Sequence, residues 1–118
     1  MRIYGTNPEE NEMADVEPAR YIHFAIKHID DMNDWLKTTN EPHQAMLLHI
    51  DVLLMLVKKY PDMYSLIKKE KVLEWESTFN EWFARCGDKI PTKYRNGIEK
   101  NAKELFAELK EKWYDLPY

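Results

Sequence analysis

The sequence predicts an all-α protein, a single-domain bundle of four to five helices. The 118 residues include only three glycines, and β-branched residues are scarce outside helical patterns, which argues against a sheet protein. Apolar side chains recur at helical spacing through most of the chain. Hydrophobic residues make up 44% of the chain and charged residues 32%. This composition is typical of a globular domain that forms its core without metals or disulfides.

The chain is predicted to divide into a flexible acidic leader, residues 1–14, and a helical domain, residues 15–118. The leader combines turn-forming residues with three glutamates and shows no sustained period. Net charge is also unevenly distributed, at −6 for residues 1–55 and +2 for residues 56–118. Such a lopsided charge can steer association with a partner.

The first helix is predicted to begin near Asp15 or Glu17, with Pro18 in its first turn, and to end near Lys37. Its apolar and aromatic side chains cover about 200° of the circumference, whereas a bundle helix usually buries an arc of little more than 100°. We therefore expect this helix to carry more apolar surface than a small bundle covers. The side chains on this arc are Tyr21, Ile22, Phe24, Ala25, Ile26, His28, Ile29, Met32, Trp35 and Leu36.

The second helix is predicted from the run Ala45–Val57, which is apolar except for His49 and Asp51 and lies between Pro42 and Pro61. The run is shorter than the 20 or so apolar residues that a membrane span needs, and it contains a carboxylate, so we expect no membrane insertion. A helix this apolar has to be covered on most of its circumference. Either it is central in a five-helix fold, or a partner covers part of it.

Two further helices complete the predicted bundle. A short segment, Asp62 to about Lys69, is followed by a long helix, and their apolar stripes are out of phase, which predicts a break near Lys69–Lys71. Gly87 is predicted to end the long helix as its C′ residue. The last helix is expected from about Thr92 to Trp113. Its inward stripe is predicted to be Tyr94, Ile98, Ala102, Leu105, Phe106, Leu109 and Trp113.

One flank of the first helix has the composition of a protein interface, with two aromatic residues beside a carboxylate. The candidate interface residues are Phe24, His28, Asp31 and Trp35. The alternative is that Phe24 and Trp35 pack in the core against Trp75 and Trp82 of the third helix.

A second hypothesis is a metal-dependent hydrolase with a His/Asp site between the first two helices. If these helices pack antiparallel, His28, Asp31, His49 and Asp51 are the residues that could meet there, and imidazole and carboxylate groups are common metal ligands. No established ligand motif supports it. Cys86 lies on the inner stripe of its helix and is expected to be a core residue.

A third hypothesis is a nucleic-acid-binding accessory factor. Its candidate basic patch is Lys58, Lys59, Lys68, Lys69 and Lys71. Phosphate contacts require little more than such charges. However, glutamates interrupt the basic groups and the isoelectric point is about 5.6, so we do not expect nucleic acid to be the partner.

Taken together, these patterns favour a noncatalytic helical protein that binds another protein as a small regulator or inhibitor. Small, glycine-poor, aromatic-rich chains of this kind are frequent among phage and mobile-element proteins that block host machinery, so we expect a viral origin. We expect no cofactor and no membrane partner, and we consider a homodimer. The single Cys86 cannot form an intramolecular disulfide, and this predicts a cytoplasmic location.

Overall fold

The structure is a computed structural model that describes residues 5–8, 12–41 and 45–111. The described residues form four α-helices and no strand, which confirms the predicted all-α bundle. The helices are α1 (Glu12–Leu36), α2 (Ala45–Lys59), α3 (Lys69–Cys86) and α4 (Thr92–Glu111). Two 3₁₀ segments, Pro61–Leu66 and Gly87–Lys89, follow α2 and α3.

The four helices form a ring in which each helix packs on two others, in the spatial order α1, α2, α4, α3. The 3₁₀ segment Pro61–Leu66 contacts both α1 and α2 and leads the chain across one end of the ring. In this order every helix, α2 included, turns one face outward. The alternative in which α2 is central and covered by neighbouring helices is therefore not met in the described part of the chain.

The core is continuous and is formed by the inward stripes of all four helices. Its largest fully buried side chains are Trp75, Trp82, Phe106, Ile22, Ile29, Leu36, Met46, Ile50, Leu53, Leu54, Leu109 and Val57. Cys86 is fully buried, as predicted. The side chain of Tyr64, in the 3₁₀ segment after α2, donates a hydrogen bond to the carbonyl of Leu109 and ties this segment to the end of α4.

The predicted break between the short segment and the third helix is confirmed. Ile67 and Lys68 adopt extended backbone conformations, and α3 begins at Lys69. Gly87 behaves differently from the prediction. It has a right-handed helical conformation and continues into a 3₁₀ turn, so it does not end α3 in the left-handed conformation. A Cβ atom at Gly87 would lie 3.2 Å from the ring of Phe83, so a larger residue there would require this ring to shift by a few tenths of an ångström.

The start of α1 and the orientation of Tyr94 also differ from the prediction. Helix α1 begins at Glu12, inside the predicted leader. Tyr94 is exposed, although it was predicted to face inward, because only the later turns of α4, with Ala102, Phe106 and Leu109, bury side chains. The predicted inward position of Trp113 falls outside the described residues, as do residues 1–4 and 9–11 of the leader.

Candidate protein-binding face on the first two helices

The outward face of α2 is apolar. Leu48 is 62% exposed, Val52 41% and Met55 62%. A bundle helix usually shows charged and polar side chains on this face. Here the polar or charged residues within the apolar run, His49 and Asp51, lie on opposite flanks of the helix, because two residues correspond to about 200° of rotation.

A ring contact connects this face to α1. The imidazole rings of His28 and His49 stack with their centroids 5.2 Å apart and an angle of 14° between their planes. Partial burial lowers the pKa of His49 below its ordinary value, and the positive charge of His28 lowers it further. The pair therefore favours a neutral His49 in the folded protein.

The flank of α1 next to α2 carries the predicted aromatic pair. Phe24 is 63% exposed and Trp35 41%, and Phe24 lies one helical turn before His28. The other flank of α1 faces α3, where Asp30 accepts a hydrogen bond of 2.9 Å from Nε1 of the buried Trp75. The alternative in which the aromatic pair packs on the tryptophans of α3 therefore finds no support in the geometry.

Most of the large exposed apolar side chains lie on α1 and α2. Among the described residues, ten large apolar or aromatic side chains are exposed, and eight of them lie on these two helices. We call the surface formed by seven of these eight the α1–α2 face, and its residues are Met13, Tyr21, Phe24, Trp35, Leu48, Val52 and Met55. The other three are Val16, on another side of α1, Leu73 on α3 and Tyr94 on α4. Large exposed apolar patches mark interaction sites.

The four candidate metal ligands do not converge. Asp51 lies in an open groove of about 520 Å³ between α2 and α4, together with Glu104 and Glu108, on the flank of α2 opposite His49. The Glu108 carboxylate forms an ion pair with Lys58, with 2.7 Å between Oε1 and Nζ. Over the described residues, no group of three His, Cys, Asp or Glu side chains is arranged to hold a metal ion.

Two of the five candidate basic residues have anionic partners within the protein. Lys58 pairs with Glu108, and Lys71 pairs with Asp30 at 2.9 Å. These carboxylates raise the pKa of both ammonium groups. Lys59 lies over the ring of Tyr60, 5.8 Å from its centroid. Lys68 and Lys69 are exposed at the start of α3.

Two arginines in the second half of the chain bind backbone carbonyls. Arg85 donates to the carbonyl of Leu36, the last residue of α1, at 2.8 Å and to that of Thr39, in the following loop, at 2.9 Å. Arg95 donates to the carbonyls of Gly87, Asp88 and Ile90 at 2.8 to 3.1 Å. Both guanidinium groups therefore satisfy acceptors at the ends of elements, and this use of their N–H groups competes with phosphate contacts.

Neither the family models nor the curated proteins or solved structures that were compared match this chain. No helix in the described ranges has the length and apolar character needed to span a membrane.

The sequence predicts an interface at Phe24, His28, Asp31 and Trp35, but it does not identify the exposed residues of α2. Leu48, Val52 and Met55 are separated by four and three residues, the spacing of an exposed helical seam. This signal was present, but it lies within a run in which almost every position is apolar, so periodicity alone does not separate the outer face from the inner one.

Proposed function

We propose that this protein is a noncatalytic binding protein and that the α1–α2 face is its protein interface. One observation carries the proposal, namely that the outer face of α2 exposes Leu48, Val52 and Met55 where a bundle helix normally faces water. The aromatic flank of α1 enlarges this surface, and aromatic residues and methionine are enriched at interfaces. Such a protein would regulate or inhibit its partner by binding to it through this face. We propose that it acts in the cytoplasm.

The test separates binding from folding by comparing exposed aromatic residues on and off the face. Phe24→Ala and Trp35→Ala are expected to weaken partner binding by about 2 kcal/mol or more, as hot-spot residues do. Tyr94→Ala, on α4, is the matched control and should leave binding unchanged. Binding is measured by affinity capture from an extract of the source organism and by light scattering, and folding is measured by thermal melting.

The two readings of Trp35 differ in what happens to association. Trp35 is 41% exposed, so its removal also costs packing within the monomer, and an interface residue is recognised by a loss of association in the fraction that remains folded. If Trp35→Ala lowers the melting temperature strongly and leaves association unchanged, the residue belongs to the core and the proposed interface loses its aromatic flank. If neither aromatic variant alters any association, the proposed function is wrong.

A further inference from the structure

We propose that the α1–α2 face binds a second copy of this chain across a twofold axis that lies in the interface and crosses both helices at right angles. This inference rests on the proposed function, because it names the partner of the same face. Three features support it: the order of side chains along α2, the order along α1, and the contact that aligns the two helices.

The spacing of the seam on the outer face of α2 is the same in both directions. Leu48, Val52, Met55 and Lys59 are separated by four, three and four residues, so they form one stripe of heptad type. Reversing the helix exchanges Leu48 with Lys59 and Val52 with Met55. The midpoint of the stripe lies between Leu53 and Leu54. A second α2 can therefore pack antiparallel on the first, with apolar side chains meeting in the middle.

The exposed flank of α1 has the same property. Met13, Phe24 and Trp35 are eleven residues apart, and eleven residues are about three helical turns, so the three side chains share one side of the helix. Reversing the helix exchanges Met13 with Trp35 and leaves Phe24 in place. The midpoint of this stripe is Phe24.

The stack of His28 on His49 puts the two midpoints at the same height. Because α1 and α2 are antiparallel, Phe24, four residues before His28, is level with Leu53, four residues after His49. A single twofold axis therefore passes through both midpoints. Twofold interfaces are isologous, which means that each surface must be complementary to its own reverse. The spacings of two stripes in different helices are symmetric about one axis, as a twofold interface requires.

The same axis brings opposite charges together on α2. Asp51 and Lys58 both lie on the flank of α2 that faces α4, and the axis places Asp51 of each copy within one turn of Lys58 of the other, which also pairs with Glu108 of its own copy at 2.7 Å. At roughly 200 Å² for each large side chain, the half-exposed residues of the two stripes offer on the order of 600 Å² per copy. That approaches the value of about 800 Å² per partner in a standard stable interface.

The first experiment measures mass by light scattering during size-exclusion chromatography, over a wide range of protein concentration. The unmodified chain is expected to reach twice its mass of 14.2 kDa, and Val52→Asp, which places carboxylates near the axis, is expected to return it to the monomer. Leu73→Asp, an exposed apolar position on α3, is the control and should remain dimeric. Circular dichroism confirms that both variants are folded.

The second experiment tests the direction of packing through disulfide formation. Phe24→Cys should link two copies of itself, because this residue lies on the axis and disulfides require Cα atoms within about 7 Å. Met13→Cys and Trp35→Cys should link to each other when the two variants are mixed, whereas neither should link to itself. The native Cys86 is buried and remains unchanged. If Met13→Cys links to itself instead, the copies pack in parallel and the proposed axis is wrong.

The outcomes distinguish this inference from the proposed function. A chain that is monomeric at every concentration, or a Val52→Asp dimer, overturns the twofold pairing. If that monomer still binds a different protein and Phe24→Ala abolishes the binding, the face is an interface for another partner and the proposed function stands. A dimer that Val52→Asp dissociates and Phe24→Cys traps establishes the pairing.

Discussion

The imidazole rings of His28 and His49 stack face to face, 5.2 Å between centroids, where α1 and α2 meet. The contact brings together two groups that repel each other when both are protonated. It also lies beside Phe24 and Val52, the residues nearest the middle of the α1–α2 face. The stack therefore links the stability of the helix pair to pH.

Acidification is expected to destabilise the protein partly through His49. Burial lowers the pKa of this residue in the folded state, so the unfolded chain binds more protons at mildly acidic pH. The contribution of neutral His49 to stability is fully present above the ordinary histidine pKa of about 6.5. It is lost as the pH falls through that value towards the lower pKa of the folded state. Thermal melts between pH 7.5 and pH 5 should therefore show a smaller decrease for His49→Gln than for the unmodified protein. Equal decreases would contradict this role of His49.

The inner face of α2 should be far more sensitive to truncation than an exposed apolar position. Leu53 is fully buried, so Leu53→Ala is expected to cost about 2–5 kcal/mol of unfolding free energy, and Leu53→Asp should prevent folding. Leu73→Ala, at an exposed leucine of α3, is the matched control and should change stability by about 0.5 kcal/mol or less. Urea denaturation measures both. Similar losses in the two alanine variants would show that Leu53 is not a core residue.

Periodicity predicted the helices and the break before α3, because these depend on local spacing and on proline positions. It did not predict the order of helices in the ring. That order decides which side of α2 faces water, since α1 and α4 each cover one flank of a helix that is apolar almost all round. Leu48 and Leu53 look alike in the sequence, yet one is exposed and the other is buried.

The roles of the arginines were not predictable for a related reason. The sequence shows that Arg85 is a cation, but it does not show that the partners of Arg85 are backbone carbonyls near the end of α1. Backbone acceptors carry no residue type, so a sequence pattern does not reveal them. The exposure of Phe24 and Trp35 was easier to predict, because the apolar arc of α1 is wider than a bundle helix buries.

The contact between Asp30 and Trp75 should matter through its hydrogen bond more than through its charge. The carboxylate of Asp30 accepts from Nε1 of Trp75 and from the ammonium of Lys71, each at 2.9 Å. Asp30→Asn keeps an oxygen for the indole and loses only a partly exposed ion pair, so it should cost about 1 kcal/mol or less. Asp30→Leu leaves the buried indole N–H without that acceptor and should cost about 1–3 kcal/mol. Chemical denaturation of both variants tests this order, and the reverse order would contradict it.

The hydrogen bond between the buried Asn33 and Glu74 should have different effects on stability depending on which of the two residues is replaced. Its side-chain amide donates to Glu74 at 2.7 Å, while its oxygen, Oδ1, is buried without a hydrogen-bond partner in the described structure. Asn33→Leu removes both the bond and the unsatisfied oxygen, so stability should change by about 1 kcal/mol or less. Glu74→Leu breaks the same bond but leaves the buried amide donor unpaired, and should cost about 1–3 kcal/mol. Asn33→Asp would place a second carboxylate against Glu74 and should be the most destabilising of the three. Urea denaturation ranks the variants, and a loss in Asn33→Leu as large as that in Glu74→Leu would show that Oδ1 is satisfied in the folded protein.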